Sequence, residues 1–187
     1  AIAVRLLNPS LAVIARGRTP SVTANMASFG TDHIINPFAR FAEHLALAVA
    51  APERFRLIEL LTALPETPLP EPHRPPRGHW ILCGYGRFGH FLADHLRPAG
   101  IELTIIDPEC NPEQLANSLN GHGTEAHTLR QAGIERSTGI IAGSDNDVNN
   151  LSIAVTAAEL KPSLFVVARQ NHNVNGPLFD AYGADFT

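Results

Sequence analysis

The stretch His79-Trp80-Ile81-Leu82-Cys83-Gly84-Tyr85-Gly86-Arg87-Phe88-Gly89 decides the fold. Trp80 to Cys83 is a short apolar run of the kind that forms a buried strand, and it opens directly into Gly-x-Gly-x-x-Gly. In a strand–turn–helix unit the first glycine permits the tight turn. The second lets the backbone approach a pyrophosphate, and the third lets the helix pack close to the strand. The helix that follows is expected to turn Phe88, Leu92 and Leu96 inward and to aim its amides and positive dipole end at the phosphates.

Downstream, Ile101–Ile106 reads as a second apolar strand ending in Asp107. Asp107 lies 23 residues after Gly84, close to the roughly 20 at which an acid meets the ribose hydroxyls. A carboxylate there repels a 2′-phosphate, and Pro108 brings no compensating arginine. NAD(H) or another adenine nucleotide is therefore favoured over NADP(H). Arg87 stands either where a guanidinium reaches phosphate or simply at an exposed helix start. Gly139–Ala142 reads as a fourth strand, opening into Gly143-Ser144-Asp145 and an Asn-rich helix. Ser144 and Asp145 either cap that helix or meet a ligand at the switch point of the sheet. The fold class is α/β, a Rossmann-like doubly wound parallel sheet.

Upstream, six of the twelve residues from Pro65 to Pro76 are proline, a stiff extended linker with no core, which puts a domain boundary near Arg77. Before it, Asn36-Pro37 predicts a helix start, with Asn as N-cap and Pro in the first position. Phe38, Phe41, Ala42, Leu45, Ala46 and Val49 follow on one helical face. Pro52 ends that helix, and Phe55, Ile58, Leu61 and Leu64 predict a second one with an apolar seam. The pair serves either its own domain or a subunit contact.

An internal repeat orders the chain. A gapless shift of 153 residues lays residues 1–34 over 154–187 and matches ten of thirty-four positions, with the block Pro-Ser-Leu-x-Val-x-Ala-Arg recurring whole. Each copy is expected to contain a short buried strand (Leu11–Ala15; Leu164–Ala168), a helix and a Gly-x-Asp lead into another strand. Residues 1–36 then form the C-terminal part of a first such unit, 37–64 the helix pair, 65–77 the linker and 78–187 the second unit, which binds the nucleotide.

Composition narrows the function. With 187 residues, 44% hydrophobic, 17% charged and a net charge of −4, the chain suits a globular domain and not a general nucleic-acid binder. Its longest apolar run, Leu45–Ala51, is well short of the roughly 18–20 residues of a membrane span. Two cysteines, Cys83 and Cys110, suggest a reducing setting. They are read as inert thiols, with a redox sensor as the rival. The pairs His90/His95 and His122/His127 are spaced by five, off a common helix face. No His-Glu-x-x-His or Gly-x-Ser-x-Gly occurs, and no catalytic set is expected. Asp145, Asp147 and Glu109 are read as solvated loop carboxylates, with a divalent-cation site as the rival.

Together these segments resemble the RCK (regulator of potassium conductance) or TrkA N-terminal domain family. The likeness runs through Ile81–Gly89, Thr104-Ile105-Ile106-Asp107, Leu129-Arg130-Gln131-Ala132-Gly133-Ile134, Ser144–Asn150, Val167-Ala168-Arg169 and Tyr182-Gly183-Ala184-Asp185, essentially all of 78–187. Ile14-Ala15-Arg16 and Phe29–Pro37 look like the tail of another such domain, and the helix pair is similar to the crossover helices through which these domains pair.

The resemblance implies a regulatory domain, not an enzyme, that binds NAD(H), ATP/ADP or AMP on the cytoplasmic side of the cell membrane. Its implied partners are the membrane part of a potassium channel or transporter and further copies in a homodimer or larger assembly. The implied ligand contacts are the Gly84–Gly89 turn, including Tyr85, Gly86, Arg87 and Phe88, with Asp107 and Pro108 at the ribose. Ser144 and Asp145 lie at the crevice, with Arg169 beside them. Family members usually carry Gly-Asp ahead of Leu-x-x-Ala-Gly, and Gly121-His122 stands there instead, which puts His122 at the adenosine. The rival functions are an NAD-dependent oxidoreductase and a structural dimerisation domain that binds nothing.

Overall fold

The computed structural model describes residues 2–17, 19–64, 74–182 and 184–185. Its contacts divide the chain into two compact units, Ala1–Phe41 and Ala42–Thr187.

The first unit holds α1 (Ile2–Leu7), β1 (Ile14–Arg16), α2 (Pro20–Ser28), β2 (His33–Ile35) and the start of α3 (Pro37–Ala50). β1 and β2 pair in parallel, Ile14 opposite His33 and Arg16 opposite Ile35. The repeat survives at the level of single hydrogen bonds. The Val13 amide donates to Asp32 Oδ2 at 2.7 Å, and its counterpart Val166 donates to Asp185 Oδ2 at 2.7 Å. The aspartate amides answer, Asp32 to the Val13 carbonyl and Asp185 to that of Val166.

The first copy departs from expectation in its strand, which starts at Ile14 instead of Leu11 and is not buried, Ile14 being 67% exposed. Two strands make only a narrow ribbon, and among the described residues of this unit Val13 and Gly17, at the two ends of β1, are the buried ones.

The second unit continues α3 and adds α4 (Pro52–Thr62), β3 (His79–Cys83), α5 (Arg87–Leu96), β4 (Glu102–Asp107), β5 (Ser118–Asn120), α6 (Ala126–Gln131), β6 (Gly139–Ala142), α7 (Asp147–Leu160), β7 (Phe165–Ala168) and α8 (Gly176–Ala181). The five strands form one parallel sheet in the order β5-β4-β3-β6-β7. The chain runs outward from β3 to β5 and returns on the other side of β3, so the order reverses between β3 and β6. This is the switch point at which doubly wound sheets bind ligands.

Helices cover both faces, which is why β3 and β6 read as unbroken apolar runs, every residue of each being buried. Ile81, Cys83, Ile106, Ile140 and Val166 share one face with Leu129 of α6 and Ile153 of α7. The alternate residues Leu82, Ile105, Ile141 and Val167 are buried on the other. Phe88, Leu92 and Leu96 of α5 are buried as their spacing predicts. Trp80 anchors the start of the sheet, its indole N–H donating to the Pro76 carbonyl at 2.9 Å. Gly139 makes room for it, since a Cβ there would come within 2.6 Å of the ring.

Asn36 Oδ1 accepts the amides of Phe38 and Ala39, which makes it the expected N-cap of α3. Ala42, Leu45, Ala46 and Val49 are buried along the helix. The expected seam in α4 is not closed: Phe55 meets His44 edge-on, but Leu61 and Leu64 are exposed. Most of the linker, residues 65–73, lies outside the described residues. Among those described, no helix is long and apolar enough to cross a membrane.

Candidate functional site

The carboxyl ends of β3, β4, β6 and β7 meet around the glycine turn, and each glycine is there for a different reason. Gly84 has a φ of +98°, a backbone that side chains rarely adopt. Its amide donates to the Ile106 carbonyl at 2.8 Å. A Cβ on Gly89 would lie 2.2 Å from the Gly84 carbonyl oxygen, so this glycine lets α5 start against the strand. Gly86 is the N-cap of α5 and brings no side chain to it. A Cβ on Gly86 would meet none of the described atoms within 4 Å. The cradle is therefore open where a phosphate would approach, and the first turn of α5 supplies the positive end of a helix dipole.

Asp107, at the end of β4, is bound to this turn. Its Oδ2 accepts the Tyr85 amide at 2.6 Å and its Oδ1 the Glu109 amide at 2.8 Å. A carboxylate offers about four acceptor positions, so capacity for ribose hydroxyls remains. The Tyr85 ring rests on His90 with centroids 4.0 Å apart. Arg87 is exposed on the first turn. Pro108 is exposed, and its carbonyl accepts Asn120 Nδ2 at 2.8 Å. His122 is exposed in the loop after β5, next to Gly121, whose amide reaches the Asp107 carbonyl.

Phe88 is buried with its ring 3.1 Å from where a Cβ on Gly143 would be, and the Arg169 guanidinium lies over that ring at 5.2 Å. Ser144 is half-buried beside Gly84, where a Cβ would come within 3.1 Å of its amide nitrogen. The structure thus brings Gly84, Phe88, Ser144 and Arg169 together. Asp145 stays exposed at the rim.

Two expectations change, and the reading of Cys83 as an inert thiol holds. The cap of α7 is neither Ser144 nor Asp145 but Asn146, whose Oδ1 accepts the Val148 and Asn149 amides, because α7 starts at Asp147. Asp147 is neither a solvated carboxylate nor part of a cation site. It is buried and accepts from the Asn171 amide and side chain, the His172 amide and Asn175 Nδ2. Burial raises its pKa, but these bonds outweigh that and hold it at about 2. Among the described residues no three His, Cys, Asp or Glu cluster as a metal site. Cys83, finally, is fully buried against Gly123, and burial pushes its thiol up to about 12, which is inert and not redox-poised.

Asn150 lies within the quoted stretch Ser144–Asn150, but the sequence reading gives it no role. A polar residue at i with apolar partners at i+3, i+4 and i+7 (Ile153, Ala154, Ala157) was the available signal.

A glycine turn, an acid at the end of the second strand and a crevice at the switch point define a Rossmann-type nucleotide-binding domain. Residues 80–187 match the TrkA-N domain. The chain belongs to the TrkA-N domain family. It is 33% identical over 98 residues to Potassium channel protein 1 of Methanocaldococcus jannaschii, covering 49% of this chain and 29% of that protein. To the Trk system potassium uptake protein TrkA homolog 2 of Methanosarcina mazei it is 32% identical over 119 residues, covering 59% and 26%. The chain thus spans less than a third of the length of these curated relatives.

Among solved structures, GsuK bound to ADP superposes with a TM-score of 0.73 at 25% identity, covering 99% of this chain and 43% of that one. The Shewanella denitrificans Kef CTD in its AMP-bound form superposes with a TM-score of 0.53 at 27% identity, covering 58% and 69%.

Proposed function

We propose that this chain is a non-catalytic regulatory module that binds NAD(H) or an adenine nucleotide and controls a potassium channel or transporter from the cytoplasmic side of the membrane. The observation that carries it is the open cradle at Gly86, bracketed by Asp107 and the first turn of α5, in a domain of the TrkA-N family. The relatives named for potassium channels and potassium uptake, and the neighbours bound to ADP and AMP, support the same reading.

In this reading the Gly84–Gly89 backbone and Arg87 hold the phosphates, Asp107 and Pro108 flank the ribose and His122 faces the adenosine. Ser144, Asp145 and Arg169 close the crevice. Residues 1–36 are the C-terminal part of a preceding similar unit, 37–64 pair with another copy and 65–77 link to the nucleotide domain of 78–187. A ligand can bias a gate only by binding its two states differently, so exchange of one nucleotide for another is the signal.

Calorimetry with NAD+, NADH, ATP, ADP and AMP tests it, with Gly86→Asp as the control. Tight binding of one of them, lost in the control, identifies the signal. A folded chain that binds none of the five refutes the sensor.

A further inference from the structure

Asn150 is fully buried in the second turn of α7, and all four of its hydrogen-bonding positions are used. Its Oδ1 accepts the Ser144 amide at 2.9 Å and the Ser144 hydroxyl at 2.8 Å. Its Nδ2 donates to the Ser144 carbonyl at 2.9 Å and to the Arg169 carbonyl at 2.8 Å. One side chain therefore ties Ser144, the second residue after β6, to Arg169, the first after β7. Both tethered residues border the glycine turn: the Ser144 amide lies against Gly84, and the Arg169 guanidinium lies over Phe88 in the first turn of α5. Ser144 and Arg169 each follow strands that pair in register, Ala142 opposite Ala168. The ladder alone sets the strand ends but not the direction in which the chain leaves them. Only a planar group with two donors and two acceptors at fixed angles meets both carbonyls and the Ser144 N–H at once.

We propose that Asn150 is a positioning residue of the nucleotide site, acting through Ser144 and Arg169 and never touching the ligand itself. The proposal rests on the nucleotide-binding reading above. Asn150→Asp keeps the shape and the acceptor toward Ser144, but it sets oxygen against the Ser144 and Arg169 carbonyls and frees the second tether.

The test measures the affinity of wild type, N150D and Ala157→Gly for whichever of the five nucleotides wild type binds best, at a temperature where all three are folded. Ala157 is buried on the same helix two turns on and has no side-chain bond to Ser144 or Arg169, so its replacement is expected to lower Tm and leave both tethers in place. The expected result is at least a tenfold rise in Kd for N150D and less than a twofold change for A157G. Equal affinities of wild type and N150D overturn the positioning role while leaving the sensor intact, and a wild type that binds nothing overturns both.

Should N150D not fold, the wild-type side-chain amide resonance of Asn150 decides. Positioning requires it to shift when nucleotide saturates the protein, and an unmoved resonance in a protein that does bind removes Asn150 from the site.

Discussion

The carboxylate of Asp107 accepts the Tyr85 amide at 2.6 Å, tying the end of β4 to the glycine turn that follows β3. The acid expected only to meet a ribose thus also shapes the cradle. Asp107→Ala should lower stability by about 1–3 kcal/mol, as loss of a charge-assisted bond to backbone does, and weaken nucleotide binding as well. Urea melts and calorimetry check this; unchanged affinity would remove Asp107 from the site.

Gly86 and Gly89 should respond in opposite ways. The backbone of Gly86, with φ −69° and ψ −164°, suits any residue, and a Cβ there meets open space. Gly86→Ala should change stability by less than about 1 kcal/mol yet raise the nucleotide Kd at least tenfold. At Gly89 a Cβ would press on the Gly84 carbonyl at 2.2 Å, so Gly89→Ala should cost at least about 2 kcal/mol. A G89A protein melting like wild type would contradict the packing described for α5.

The two thiols should react at different rates. Cys110 is half-exposed, whereas Cys83 is buried with its thiol raised to about 12. A maleimide should modify Cys110 quickly and Cys83 only as the domain unfolds. Rapid labelling at both positions, followed by mass spectrometry, would show that the carboxyl end of β3 is open.

Acid should weaken the sheet through His79. Ser137 Oγ donates to the Gly133 carbonyl and so accepts from His79 Nδ1–H, which leaves Nε2 to accept from the Thr104 hydroxyl, each at 2.8 Å. The ring is thus held neutral. Burial lowers its pKa below 6.5; Glu102 opposes this and Arg136 adds to it. A depressed folded pKa means stability is full above about pH 6.5 and is lost as pH falls through the folded value. Urea melts between pH 5 and 8 should show this slope, reduced in His79→Gln. An equal slope in the variant would clear His79.

Asp147 sets a second, lower window. Its contribution is whole above about 3.8 and disappears as pH falls toward about 2. At neutral pH, Asp147→Ala takes the acceptor from the half-buried donors of Asn171 and Asn175 and should cost about 1–3 kcal/mol. Hydrogen exchange should quicken first in the loop between β7 and α8, and uniform exchange across the domain would argue against this anchor.

The strand–turn–helix of residues 79–96, the parallel sheet, the acid at Asp107 and the N-cap at Asn36 were all legible in the sequence. The glycine turn and the Asn36 cap depend on residues close along the chain, where glycine sterics and helix-start chemistry act directly, and the sheet and Asp107 follow from the strand–turn–helix order and the fixed spacing of the glycine fingerprint. The repeat was legible too, and it reappears in the bonds of Val13 with Asp32 and of Val166 with Asp185. Tertiary structure alone decided what became of the polar groups at the carboxyl edge. Asp147 reads as a loop carboxylate and Asn150 has no legible role, because their partners lie as much as 28 and 19 residues away, at positions no local motif marks. Those partners arrive only once β6 and β7 are in register. It likewise decided that Ile14 stays exposed while Val166–Ala168 is enclosed. Burial belongs to whatever packs on a strand and not to the strand's own residues, and near-identical segments met different neighbours.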